Sequence, residues 1–265
     1  MVIIAGILGL AVGSFLNVVI YRVPLRQSVV SPPSACPKCS SRIKGYDNIP
    51  VVSWLLLRGK CRTCDSAISV RYPMVELGTA IFFSLVAWKF EFANSNFIFL
   101  LTAFLYLAAI TIALALIDLS THTLPNAIVL PSYAVGGVLL AADGLISGDH
   151  RALVRAIIGA AVMWLLYMAM ALMYPEGMGF GDVKFAGVLG LFLGYLGWDV
   201  LVTGAFAAFV LGGIFALALI LFRKTNLKSG IPFGPWMVAG AWLGVFFGVQ
   251  IVQSYLSIFS LSSGV

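Results

Sequence analysis

Apolar residues run in long stretches along most of this chain, broken by short polar or glycine-rich punctuation. A helix needs about 20 apolar residues to cross a bilayer. Such spans are predicted near 2–21, 74–90, 97–117, 127–147, 153–174, 184–198, 200–222 and 235–258. The sixth is short and Gly197-Trp198-Asp199 is a narrow separator, so about eight spans are expected, with seven the alternative. Residues 22–73 are too polar to span. The pattern therefore predicts an all-α polytopic membrane protein: a first transmembrane helix at 1–21, a small domain outside the membrane at 22–73, and a polytopic membrane domain at 74–265. No internal repeat shows. The opening run MVIIAGILGLAVGSFLNVVIYRV has its first basic residue, Arg22, after the apolar stretch, so it reads as an uncleaved first helix rather than a secretory signal.

Composition agrees with the pattern. Of 265 residues, 61% are hydrophobic and only 10% charged, far below the roughly one quarter of a soluble domain. The net charge of +6 does not point to nucleic acid, because no basic face with interleaved aromatics appears. Nine of the sixteen Lys and Arg lie between Arg22 and Arg71, and basic residues stay on the cytoplasmic side of a membrane. With 22–73 cytoplasmic, alternation puts 118–126, 175–183 and 223–234 on the same side and both chain ends outside. Asp118 and Asp182 then share the cytoplasmic face.

All four cysteines fall in the polar segment, as Cys36-Pro-Lys-Cys39 and Cys61-Arg-Thr-Cys64 with 21 residues between the pairs. Each CxxC turn aims two thiolates at one point, and two turns complete a tetrahedral zinc shell. Disulfides are the competing reading, but they rarely persist in reducing cytosol. Four protein ligands leave no open position for water, so the zinc is expected to be structural. Lys38, Lys60 and Arg62 would offset its thiolate charge.

The acidic residues are few, and acids in membrane helices are costly enough to suggest function. Asp47 and Asp65 belong to the polar segment, Glu91, Asp149 and Glu176 to solvated loops, and Asp143 and Asp199 to the outer face. Glu76, in RYPMVELGTA, is either an ion-paired interfacial acid or a contact for substrate or cofactor. Asp118 ends the apolar run FLYLAAITIALALI, before a short turn that leads to Pro125. Asp182 follows the glycine-rich GMGFGD, where Gly179 and Gly181 permit unusual backbone geometry and close approach. Two carboxylates from separate helices at one depth can meet and share a proton, the charged one activating water and the protonated one polarising a carbonyl. The rival is a proton- or ion-coupled transporter, whose paired acids belong nearer the midplane; a zinc-folded assembly platform without catalysis is a second. Lys184 serves as a membrane anchor or contacts substrate or a phospholipid head group. No phosphate loop or nucleophile elbow is present.

GLAVGSFLNVVIYRVP (9–24), CPKC with CRTC, NIPVVSWLLLRGKC (48–61), ISVRYPMVE (68–76), the Asp118 segment and GFGDVK together resemble the type IV prepilin peptidases, within the GxGD class of intramembrane aspartyl proteases. The match runs from about residue 6 to 190. The resemblance implies a multi-pass enzyme of the bacterial cytoplasmic (inner) membrane. It would remove the short basic leader from prepilins or type II secretion pseudopilins, after a glycine and at the cytoplasmic face. It maps the catalytic pair onto Asp118 and Asp182. Many members also methylate the new N-terminus with S-adenosylmethionine, an activity associated with the cysteine-bearing segment, although no nucleoside-binding pattern is legible here. Many members have LPD where this chain has Leu124-Pro125-Asn126. Oligomeric state is not legible in the sequence.

Overall fold

The computed structural model describes residues 1–91, 98–174, 177–221 and 232–262, the last four by backbone alone. The described residues are helical, with two isolated β-bridges and no strand. Long helices are α1 (Val2–Arg22), α3 (Arg71–Phe90), α4 (Ile98–Thr121), α5 (Asn126–Ser147), α6 (His150–Met173), α7 (Phe180–Leu196), α8 (Trp198–Leu221) and α9 (Gly234–Ser262), with a short α2 (Val52–Leu56) in the polar segment. All but α7 are long and apolar enough to cross a membrane. The expected 223–234 segment lies largely outside the described residues, as does Glu176.

The chain forms two compact units. The first comprises Met1–Phe97 with Phe104–Ala113 of α4. Within it α1 packs on α3 through glycines: a Cβ at Gly9 would lie 2.7 Å from Ala80 Cα, and one at Gly13 would lie 2.7 Å from Glu76 Cα. Lipid is as apolar as leucine, so membrane helices gain by close backbone approach rather than by hydrophobic exclusion. Glycine supplies that approach.

The second unit holds Ile98–Ala103 and Leu114–Val265. It is built around α7, buried along almost its whole length and in contact with α5, α6, α8 and α9. Gly159 of α6 meets the backbone of Gly190, and Gly194 meets that of Arg155. The 17 residues of α7 rise about 26 Å, short of the ~30 Å hydrocarbon core. A central helix of that length needs no lipid-facing girth, because protein surrounds it along most of its length.

Two boundaries differ from expectation where it matters. The fourth helix runs on past Asp118 to Thr121, because the hydroxyls of Ser120 and Thr121 turn back onto the carbonyls of Leu116 and Ile117 at 2.9–3.0 Å. The seventh starts at Phe180 rather than near 184, because Asp182 caps it. Each aspartate thus sits within a terminal helical turn.

Asp143, expected near the outer face, is buried and accepts the Tyr195 hydroxyl, near the end of α7 remote from Asp182. Glu91 pairs with the Met1 amine at 3.5 Å, and Asp149 caps α6 through the Ala152 N–H at 3.0 Å. These acids have structural partners.

Candidate active site and metal centre

The site in the second unit is assembled from helix ends. Asp118 lies in the last turn of α4 and is buried. Its Oδ2 accepts the N–H of Gly234, the first residue of α9, at 3.0 Å. Asp182 occupies the third position of α7, where its Oδ2 accepts the Gly179 N–H at 3.1 Å while its own N–H donates to the Gly179 carbonyl at 3.0 Å. A side chain at that position satisfies a helix-start donor that no helical carbonyl can reach.

Leu124 joins the two ends. A Cβ on Gly234 would lie 3.4 Å from Leu124 Cδ2 and 2.7 Å from Asp118 Oδ2, while a Cβ on Gly181 would lie 3.1 Å from Leu124 Cβ. One leucine side chain therefore touches the residue that binds Asp118 and the residue that precedes Asp182. Both carboxylates therefore stand at helix ends that close on the same leucine. The structure brings together the pair that the sequence singles out.

Of the two uses expected of the glycines of GMGFGD, unusual backbone geometry and close approach, the structure shows the second. Gly179 has φ −74° and ψ 147°, open to any residue, and neither it nor Gly181 has a positive φ. Their contribution is space. Gly181 admits Leu124, and a Cβ on Gly179 would press on Asp182 Oδ2 at 3.2 Å.

Lys184, one residue beyond Val183, donates to Asn126 Oδ1 at 3.1 Å and lies over the Phe180 ring at 4.7 Å. Asn126 is the departure from LPD, and in this chain it holds the lysine. The turn after α4 is fixed by His122, whose N–H donates to the Asp118 carbonyl at 2.8 Å with φ 53°. Sequence reasoning passed over Phe233-Gly234-Pro235 and Leu124. The signal for the former was a Gly-Pro pair opening a helix on the face already assigned to both acids, since proline suits a first helical turn.

In the first unit the four cysteine sulfurs lie within 4.8 Å of one another. Cys36 and Cys64 Sγ are 3.8 Å apart, about the edge of a tetrahedron built on Zn–S bonds of about 2.3 Å. Their scaffold is a repeat that the sequence conceals. The Cys36 N–H donates to the Ser41 carbonyl and the Ser40 N–H to the Cys36 carbonyl; Cys61, Asp65 and Ser66 repeat this pattern, all at 2.8–3.0 Å. Ser40 and Asp65 share a positive φ (56° and 54°), and bridges Ala35–Arg42 and Lys60–Ala67 close the two knuckles alike. The Cys36 thiol is lowered to about 6, first by the Cys39 backbone N–H and then by the Ser66 hydroxyl. It is poised as a thiolate, the form that binds metal. The donor set, spacing and charge state fit zinc.

Glu76 is buried in α3 and accepts the Val51 N–H at 2.7 Å. Val51 has φ 63° and ψ −50° at the centre of a γ-turn, with the Val52 N–H on the Pro50 carbonyl at 2.6 Å. This conformation is strained for a β-branched residue. Glu76 thus fastens a strained turn of the polar segment to a membrane helix.

Comparison with known proteins fits both units. The bacterial peptidase A24 N-terminal domain matches residues 7–90, and the type IV leader peptidase family matches residues 105–217. The chain is 35% identical to a prepilin leader peptidase/N-methyltransferase of Stutzerimonas stutzeri, over 96% of this chain and 93% of that protein. Identity is 36% to proteins of that name in Pseudomonas aeruginosa (94% and 91%) and Neisseria gonorrhoeae (91% and 88%). No solved structure matches. With two domain matches in order and relatives aligned almost end to end, this multi-pass membrane protein belongs to the type IV leader peptidase family.

Proposed function

We propose that the chain removes the short basic leader from type IV prepilins or type II secretion pseudopilins and N-methylates the new N-terminus; its relatives bear the name prepilin leader peptidase/N-methyltransferase. The observation that supports the peptidase reading is the convergence of the Asp118 and Asp182 helix ends on Leu124, each carboxylate held by one backbone N–H. The cleavage follows from that pair. Water oxygen bonds to the scissile carbonyl carbon as the charged carboxylate takes its proton and the protonated one gives a proton to the carbonyl oxygen. The C–N bond then breaks as the first carboxyl protonates the leaving nitrogen and the diol returns a proton to the second. The titration belongs to the pair.

The basic bias of the polar segment supports a site at the cytoplasmic face of the inner membrane. Prepilins present their leaders there, just before an apolar helix. Lys184, near the start of α7, is the candidate contact there for substrate or a phospholipid head group. A transporter is not supported: the relatives bear a peptidase's name, and both acids lie at helix ends rather than mid-span.

Cys36, Cys39, Cys61 and Cys64 would hold one zinc ion, which joins the two knuckles and supplies no chemistry to the cleavage. Methylation requires a donor, S-adenosylmethionine in this class. Glu76, the buried acid of the first unit, is engaged by the Val51 N–H rather than free to hold that donor.

Asp118→Asn and Asp182→Asn, each purified in detergent and given a prepilin, are expected to lower leader removal by a factor on the order of 10³, with the protein still folded. Mass spectrometry of the product N-terminus reads cleavage and methylation together. Normal processing by either variant removes the dyad mechanism.

A further inference from the structure

Tyr167 of α6 is fully buried and its hydroxyl has no hydrogen-bond partner among the described residues. Buried hydroxyls are nearly always paired, and an orphan in a dry interior needs a reason. The surroundings give none for stability. The ring lies 5.5 Å from Phe209 of α8 and 6.2 Å from Phe233, centroid to centroid, and a phenylalanine would fill the same space.

The register of α6 against α7 shows where the hydroxyl works. The two helices run antiparallel, with Gly159 on Gly190, Met163 Cβ at 2.8 Å from the Cβ position of Gly190, and Trp164 Cβ at 3.4 Å from that of Gly187. One turn further along α6, Tyr167 comes level with the first turn of α7, which contains Asp182. Its other neighbour, Phe233, immediately precedes the glycine that binds Asp118. The charge of Asp182 also reaches the phenol.

Helix ends break the symmetry of the pair further. Asp182 stands in the first turn of α7, where the helix dipole favours a negative charge. Asp118 stands in the last turn of α4, which disfavours one, against the first N–H of α9, which favours one. At Asp118 the two oppose each other.

We propose that Tyr167 is a positioning residue. In the substrate-engaged site its O–H donates to Asp182, fixing that carboxylate as the charged member that takes the proton from water and leaving Asp118 to protonate the carbonyl oxygen. Asp182 Oδ2 already accepts the Gly179 N–H, and the carboxylate keeps further lone pairs for the phenol. Tyr167 keeps its own proton throughout. Other titratable groups about these helix tips include His122 beside Asp118, Tyr133, which donates to the Lys184 carbonyl, and Lys184, which Asn126 holds. The inference rests on the dyad reading above.

The test measures prepilin cleavage by full-length protein in detergent across pH. Tyr167→Phe keeps the ring and removes the donor. Its kcat is expected to fall roughly tenfold with KM changed less than about twofold. The acidic limb of the kcat profile is expected to move up by about one pH unit, since the charged carboxylate loses a hydrogen bond. Fluorotyrosine at 167, a stronger donor of nearly the same shape, should move that limb down, and it keeps the question open to test if the phenylalanine variant misfolds. A wild-type limb in either active variant overturns the inference, as does a loss of thermal stability with no shift of the limb. Asp182→Asn in the same assay separates the layers. If it is inactive while Tyr167→Phe behaves as wild type, only Tyr167's part falls; if it cleaves normally, the dyad falls too.

Discussion

The cysteine knuckles and the aspartate pair solve the same problem, gathering like-charged ligating or reacting atoms, by opposite means. Each knuckle is made within about seven residues, its sulfurs aimed by backbone bonds between near neighbours such as Cys36 and Ser41. The aspartates come from α4 and α7, and their backbone donors sit at Gly179 and at Gly234, the latter 116 positions from Asp118. A metal site can be built locally because the ion itself supplies the energy that overcomes thiolate repulsion. A proton-sharing pair has no such ion. Helix tips, a leucine and glycine clearances must hold it, so the whole second unit is its scaffold.

This contrast predicts unequal fragility, and the sharpest test is at Gly234. An alanine Cβ there would stand 2.7 Å from Asp118 Oδ2, pushing the carboxylate off its donor. Misplacement near 1 Å costs about 10²-fold in rate. Gly234→Ala is expected to lower kcat by roughly that factor with little loss of folded protein. At Gly181 the clearance to Leu124 is 3.1 Å, so Gly181→Ala should cost less. Full activity in Gly234→Ala would mean that the pair tolerates displacement, and the contrast would fail.

The knuckles should break the other way. Removing metal by dialysis against a strong chelator, or making Cys36→Ser, is expected to lower the midpoint of thermal unfolding by about 5–10 °C, with elemental analysis reporting one zinc per chain before and none after dialysis. Leader cleavage by the protein still folded at low temperature should keep its KM and pH profile. A change in the profile would tie the metal to the chemistry and erase the division of labour.

What was legible in the sequence follows the same divide. CxxC pairs are short-range signals, and Asp118 and Asp182 stand out because acids are rare in apolar helices. The helices themselves were legible to within a few residues because a bilayer demands length. Tertiary facts were not. Nothing local says that Gly234 closes on Asp118, that Glu76 meets Val51, or that Tyr167 lies beside the first turn of α7. The knuckle repeat was hidden for another reason: Ser40 and Asp65 share a backbone conformation but no side-chain class, and apart from the cysteines only Ser41 with Ser66 and Ile43 with Ile68 recur.

The weakest link in the polar segment gives the smallest effect and the clearest sign. Arg62, between Cys61 and the rest of its knuckle, holds Asp47 through Nη2 at 2.6 Å and Nε at 3.0 Å. That guanidinium keeps the Asp47 carboxyl below its ordinary value of 3.8. A group lowered in the folded state contributes stability above its unfolded value and loses it as pH falls through the folded one. The pair should therefore be fully engaged at neutral pH and fade only below about pH 4. Arg62→Gln is expected to lower the thermal midpoint by no more than about 2 °C at pH 7, with the difference from wild type vanishing toward pH 3 and shrinking in high salt. A difference that instead grows on acidification would mean that Arg62 acts on the thiolates rather than on Asp47, and the knuckle's charge balance would have to be assigned to it.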